Sequence, residues 1–140
     1  MIAVDTNVLL RYLLEDDEAQ SSRAARLIDG GRDVLVSDVV LAETLWTLKG
    51  KKYRLDRRAL ADVVHALFEE PSLRFENPHV VWRALHDFRG GRDGSYEGAD
   101  FADALILNIG RDFAARLGQP FDGFYTFDEK ARRMPGTKAP

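Results

Sequence analysis

Short apolar runs alternate along this chain with segments whose apolar residues recur at helical spacing, and no other feature constrains the fold as much. Ile2-Ala3-Val4 opens the chain as a strand suited to the interior of a parallel sheet. Segments 7–14 and 18–28 read as helices, the second stopped by Gly30-Gly31. Val34-Leu35-Val36 is the next strand and leads into a helix over 39–48. Residues 57–69 place Leu60, Val63, Val64, Leu67 and Phe68 on one helical face. Leu73-Arg74-Phe75 is a short strand. Asn77-Pro78 then starts a helix, with Asn as cap and Pro at the first position, and turns Val81, Leu85 and Phe88 inward. Segment 89–98 holds four glycines and reads as a mobile loop. A helix over 101–117 is apolar nearly all round in its first half, which implies burial on several sides. A last strand over 123–127 completes an α/β pattern, a short, mainly parallel sheet with helices on both faces. Residues 1–133 are expected to form one domain, and 134–140 a flexible tail.

Composition narrows the chemistry. A chain of 140 residues buries enough surface to fold without staples. It has no cysteine, which excludes disulfides, thiolate metal sites and a Cys nucleophile. With 20 basic and 23 acidic residues the net charge is −3, so any polyanion must be met by a local patch. No apolar run approaches the roughly 18 residues that span a bilayer, and no basic region precedes an apolar stretch at the start. A cytoplasmic location is the expectation.

Four carboxylates stand in apolar settings. Asp5 ends Ile2-Ala3-Val4, Glu43 lies within Val39-Val40-Leu41-Ala42, Thr44 and Leu45, Asp103 is embedded in Phe101 to Leu107, and Asp128 ends Phe124-Tyr125-Thr126-Phe127. An unpaired buried carboxylate costs several kcal/mol, so each calls for a cation, a proton or donors. Ligands of open parallel sheets bind beyond the carboxyl ends of the strands, where Asp5 and Asp128 fall. Asp100 lies one turn before Asp103. If these acids converge, a divalent ion is the economical compensation, and all-oxygen ligands favour Mg²⁺ or Mn²⁺ over zinc or copper. Such a cluster suits phosphodiester hydrolysis. Four of these five acids also have a bland alternative. Asp5 can cap a helix, Glu43 can pair with a lysine, Asp100 can face a helix dipole and Asp128 can shape a turn.

Ile2-Ala3-Val4-Asp5-Thr6-Asn7, Ser37-Asp38-Val39-Val40-Leu41-Ala42-Glu43, Asp100-Phe101-Ala102-Asp103-Ala104-Leu105-Ile106 and Thr126-Phe127-Asp128 occur in that order. In this the chain resembles the PIN-domain ribonucleases, and among them the VapC toxins of bacterial toxin–antitoxin pairs, from residue 1 to about 133. The resemblance implies a PIN-like three-layer α/β/α fold. It implies that Asp5, Glu43, Asp103 and Asp128 hold one or two Mg²⁺ or Mn²⁺ ions, with Asp100 as an accessory acid. Thr6, Asn7 and Thr126 match small polar residues that orient carboxylates or water beside the site. The activity implied is endoribonucleolytic hydrolysis by metal-activated water, leaving 5′-phosphate and 3′-hydroxyl ends. Implied partners are a homodimeric copy and a VapB-type antitoxin. Leu9, Leu10, Leu13, Leu14, Leu45, Trp46 and Leu48 are either its apolar receiving surface or ordinary core.

A basic segment, Lys49, Lys51, Lys52 and Arg54 with Tyr53 among them, is a candidate contact for RNA phosphates and a stacked base, or else a solvated connection. His65, His79 and His86 lie outside the acid motifs. Three other readings stand beside the ribonuclease: a silent module that binds RNA or protein, a metal-dependent DNase with the same acids, and an aspartyl phosphatase. The last needs a second acid where this chain has Asn7.

Overall fold

The computed structural model describes all residues, Met1–Pro140. The chain divides into two compact units, residues 1–76 and 77–140. Each is described by itself.

In the first unit, strands β1 (Ile2–Ala3), β2 (Val34–Val36) and β3 (Leu73–Phe75) form a parallel sheet in the order β1-β2-β3. Ile2 is opposite Val34, and Val34 is in turn opposite Leu73. Helices α1 (Thr6–Leu14) and α2 (Glu18–Ile28) connect β1 to β2, while α3 (Asp38–Lys49) and α4 (Arg57–Glu69) connect β2 to β3. Each helix begins where a short polar side chain accepts a backbone N–H of the first turn. Asp5 serves α1, Asp17 α2, Ser37 α3 and Asp56 α4. The apolar faces meet in a core that includes Leu9, Ile28, Val34, Val36, Leu41, Leu48 and Val64, all essentially inaccessible. Because the three strands are parallel and adjacent, their carboxyl ends share one edge. Asp5, Asp38 and Glu76 follow β1, β2 and β3 there.

In the second unit, α5 (Pro78–Phe88) packs on α6 (Phe101–Arg116), with the Phe88 and Phe101 rings edge to face at 5.7 Å. Asn77 caps α5 through the Val80 N–H, with Pro78 at its start. The first half of α6 buries Phe101, Ala104, Leu105 and Leu107, but Ile106 is half exposed, so burial is less complete than the apolar pattern implies.

Two features of this unit differ from expectation. Strand β4 (Phe124–Tyr125) pairs with β5 (Thr137–Lys138) as a separate parallel ribbon, so Asp5 and Asp128 follow strands of different sheets. The end of the chain is therefore no loose tail: Met134 is 1% exposed and a turn of 3₁₀ helix, Ala131–Arg133, leads to β5. A lone buried methionine and a two-residue strand carry too little pattern to be seen in sequence. Segment 89–98 is also fastened. Tyr96 donates its N–H to Gly90 and its hydroxyl to Asp87, and Glu97 N–H reaches the Gly94 carbonyl.

Candidate functional site

At the carboxyl edge of the three-stranded sheet, Asp5 is exposed and its Oδ1 accepts the Val8 N–H at 2.9 Å, which caps α1. The next residue, Thr6, donates its hydroxyl to Glu43 Oε2 at 2.6 Å. That short bond ties the first turn of α1 to the second turn of α3. It brings Asp5 and Glu43 to one corner, with Thr6 between them. Asn7, also exposed, is the next residue along α1. Glu43 is exposed and stands between Val39 and Trp46, one turn away on either side of α3 and 64% and 70% exposed.

Two further acids stand at this edge. The Asp38 carboxyl is pushed up to about 6, by burial first and by the nearby Glu76 charge second. Asp38 Oδ1 is buried without a hydrogen-bond partner. Acids follow the apolar strands β2 and β3 just as Asp5 follows β1. Asp38 was hidden by the ordinary look of an acid in a helix's first turn.

In the second unit, Asp100 occupies the cap position of α6 without a side-chain capping bond, and Asp103 lies in the first turn. Both are half-buried. Asp128 is exposed, and its Oδ1 accepts N–H groups from Lys130 at 2.8 Å and Ala131 at 3.3 Å. Its own N–H goes to Thr126 Oγ1 at 3.1 Å, so Thr126 shapes the turn that presents Asp128.

The expectation that the four acids are buried is corrected. Asp5, Glu43 and Asp128 are exposed and Asp103 is half-buried, because each lies where an element begins or on its outer face rather than on the apolar face beside it. Two of the bland roles, helix cap for Asp5 and turn former for Asp128, are real and occupy Oδ1 in each. Within neither unit do three acidic or imidazole side chains close around a cation. The donors at the first unit's edge are carboxylate and hydroxyl oxygens, a set that suits hard Mg²⁺ or Mn²⁺ and not a soft ion.

The basic segment follows α3. Lys49, Lys51, Lys52 and Arg54 are exposed. The Tyr53 ring is covered by Lys52 Nζ, 5.1 Å from its centroid, and its hydroxyl leans on Asp16 at 3.4 Å. Tyr53 is therefore already engaged within the protein. His65 faces Glu69 on α4, and His79 and His86 are on the exposed side of α5. Leu9, Leu10, Leu45 and Leu48 are core, and Leu13 and Leu14 are half-buried, which leaves Trp46 as the widely exposed member of that set.

A buried polar network in the second unit has no counterpart in the sequence reading. Asp87, 6% exposed, accepts from Tyr96 Oη at 2.9 Å, Asn108 Nδ2 at 2.7 Å and Arg111 Nη1 at 3.4 Å. The Tyr96 hydroxyl is pushed up to about 12, by burial first and by Asp87 second. The available signal was spacing, since Asp87 falls on the face that carries buried Val80 and Ala84.

The family model described as PIN domain matches residues 2–136, nearly the whole chain and both units. No curated protein matches the chain.

Proposed function

Because the chain belongs to the PIN domain family, whose members are generally nucleases and typically use divalent metal ions, we propose that it is a metal-dependent endoribonuclease of the VapC type, acting in the cytoplasm as the toxin of a toxin–antitoxin pair. The observation that carries this reading is the Thr6–Glu43 bond, which holds Glu43 beside Asp5 at the carboxyl edge of a parallel sheet. In this reading Asp5, Glu43, Asp103 and Asp128 hold one or two Mg²⁺ or Mn²⁺ ions, with Asp100 as an accessory acid. A bound ion would lower the pKa of water and offset charge on the phosphodiester in the transition state. The chain's own residues set the stage for that chemistry. Thr6 fixes one Glu43 oxygen and leaves the other to face substrate or ion. The Asp5 and Asp128 caps lock those carboxylates against rigid turns, which limits the reorganisation needed at reaction. Thr126 holds the Asp128 turn, and Asn7 adds an amide beside Asp5.

Partners follow from exposed apolar surface. Val39 and Trp46 flank Glu43, so an antitoxin segment lying across α3 would cover the acid and bury both side chains. Along α6, Ile106, Ile109, Phe113 and Leu117 form an exposed stripe at helical spacing, suited to a second copy of the chain. Helices long and apolar enough to cross a membrane are absent.

The test is cleavage of matched single-stranded RNA and DNA by antitoxin-free protein in Mg²⁺, in Mn²⁺ and in excess EDTA. The expected result is metal-dependent cutting of RNA with 5′-phosphate and 3′-hydroxyl ends. DNA cutting alone assigns a DNase, a 2′,3′-cyclic phosphate refutes attack by water, and RNA binding without cutting assigns a silent module.

A further inference from the structure

A cavity of about 580 Å³ lies between α1 and α2 and carries four arginines on its walls: Arg11, Arg23, Arg26 and Arg32. Arg11 is compensated. Its Nη1 meets Asp16 Oδ1 at 2.7 Å and its Nε meets Gln20 Oε1 at 2.8 Å. Arg23, Arg26 and Arg32 are exposed and form no salt bridge. Three guanidinium groups without a salt-bridge partner line one groove, so an anion laid among them can pair with them. Arginine's planar fork also suits phosphate oxygens, which it can meet in pairs.

The groove's position says which anion. Asn7 lines it, two residues beyond Asp5 in the same cap and first turn of α1. At the other side, Asp16 receives both Arg11 and the Tyr53 hydroxyl, and Lys52 is near enough to help hold the Asp16 carboxyl below the usual range. Basic groups thus run from Lys52 past Arg11 to Arg23, Arg26 and Arg32, and the run passes beside the Asp5 end of α1. Val8, Ala24 and Leu27 supply an apolar floor.

We infer that this groove is a binding track for the phosphate backbone of a single-stranded RNA, leading the strand toward Asp5 and Glu43. The inference rests on the nuclease reading and adds the surface that would hold substrate. It places the main phosphate contacts on α2 and the turn before β2, with the Lys51–Lys52 segment at the margin.

The test is equilibrium binding of a fluorescein-labelled single-stranded RNA, followed by anisotropy from 50 to 200 mM KCl. An Asp5→Asn background silences cleavage and keeps a residue that caps α1. Adding Arg23→Gln and Arg26→Gln, both at exposed positions, is expected to weaken binding about twentyfold near 100 mM salt and to flatten the log–log salt slope by about 1.4, or 0.7 for each phosphate no longer neutralised. Lys51→Gln with Lys52→Gln is expected to flatten it less. An unchanged slope in the arginine variant, with RNA still bound, overturns the groove and leaves the nuclease reading standing. Failure of the parent with intact arginines to bind RNA overturns both. Arginine-dependent capture of poly-glutamate with RNA binding unaffected assigns the groove to an acidic polypeptide and refutes the inference.

Discussion

Asp87→Asn tests how the second unit is held together. The carboxylate is 6% exposed and receives three donors, from Tyr96, Asn108 and Arg111. The amide is nearly the same size, and its oxygen can serve Asn108 and Arg111 while its NH₂ turns to the Tyr96 hydroxyl, which can accept. Bond count and packing are therefore kept, and what disappears is the charge on the acceptor. A hydrogen bond to a charged group contributes about 1 kcal/mol more than a neutral one. The Tyr96 and Asn108 bonds are short, whereas the Arg111 contact is long and its side chain is a third exposed. The expected loss is about 2 kcal/mol. Asp87→Ala, which orphans all three donors, should cost about 3–5 kcal/mol. The two tryptophans fall one in each unit, so Trp82 in a Trp46→Phe background reports the second unit by fluorescence during urea unfolding. With a slope of about 2 kcal/mol per molar urea, Asp87→Asn should lower the midpoint by about 1 M. A midpoint within 0.2 M of the parent, or equal loss for Asn and Ala, would refute the claim that charge on Asp87 is what the network uses.

Three other outcomes are expected. Asp38 holds a proton in the folded chain up to about pH 6 and releases it near pH 4 when unfolded, so stability falls as pH rises between those values. Asp38→Asn should add about 1 kcal/mol above pH 6, after allowance for solvent screening, and nothing below about pH 4, whereas parallel melting-temperature profiles would contradict this. Thr6→Val should lower RNA cleavage about 10- to 100-fold with little change in melting temperature, and Thr6→Ser should restore it. Gly90→Ala should destabilise the second unit by about 3 kcal/mol in the Trp82 assay, because φ is +81° and a Cβ would lie 2.3 Å from the Glu97 backbone nitrogen.

The elements of this fold were largely legible because each carries a local signal. Helix α2, helix α4 and strands β2 and β3 fall at the residues that periodicity assigns, and Asn77 marks the start of α5 chemically. Strand β5 and the burial of Met134 were not legible, because pairing between distant segments leaves no trace in a two-residue run. At the candidate site, apolar neighbours in sequence suggested buried acids. Neighbours in sequence point to different faces of a helix, however, and Glu43 lies on the outer face while Leu41, Thr44 and Leu45 go to the core. The Asp38–Glu76 and Asp87–Asn108 pairs join residues 38 and 21 positions apart, and no spacing rule of one helix or strand links them.

Mn²⁺ binding tests the proposed metal-holding role of Asp5, Glu43, Asp103 and Asp128 without reliance on a known RNA target. Calorimetric titration of the antitoxin-free protein should be compared with that of Glu43→Gln and Asp103→Asn, one from each unit. Each substitution alone is expected to weaken Mn²⁺ binding at least about tenfold while the fold is retained. Unchanged Mn²⁺ affinity in both folded variants would contradict it.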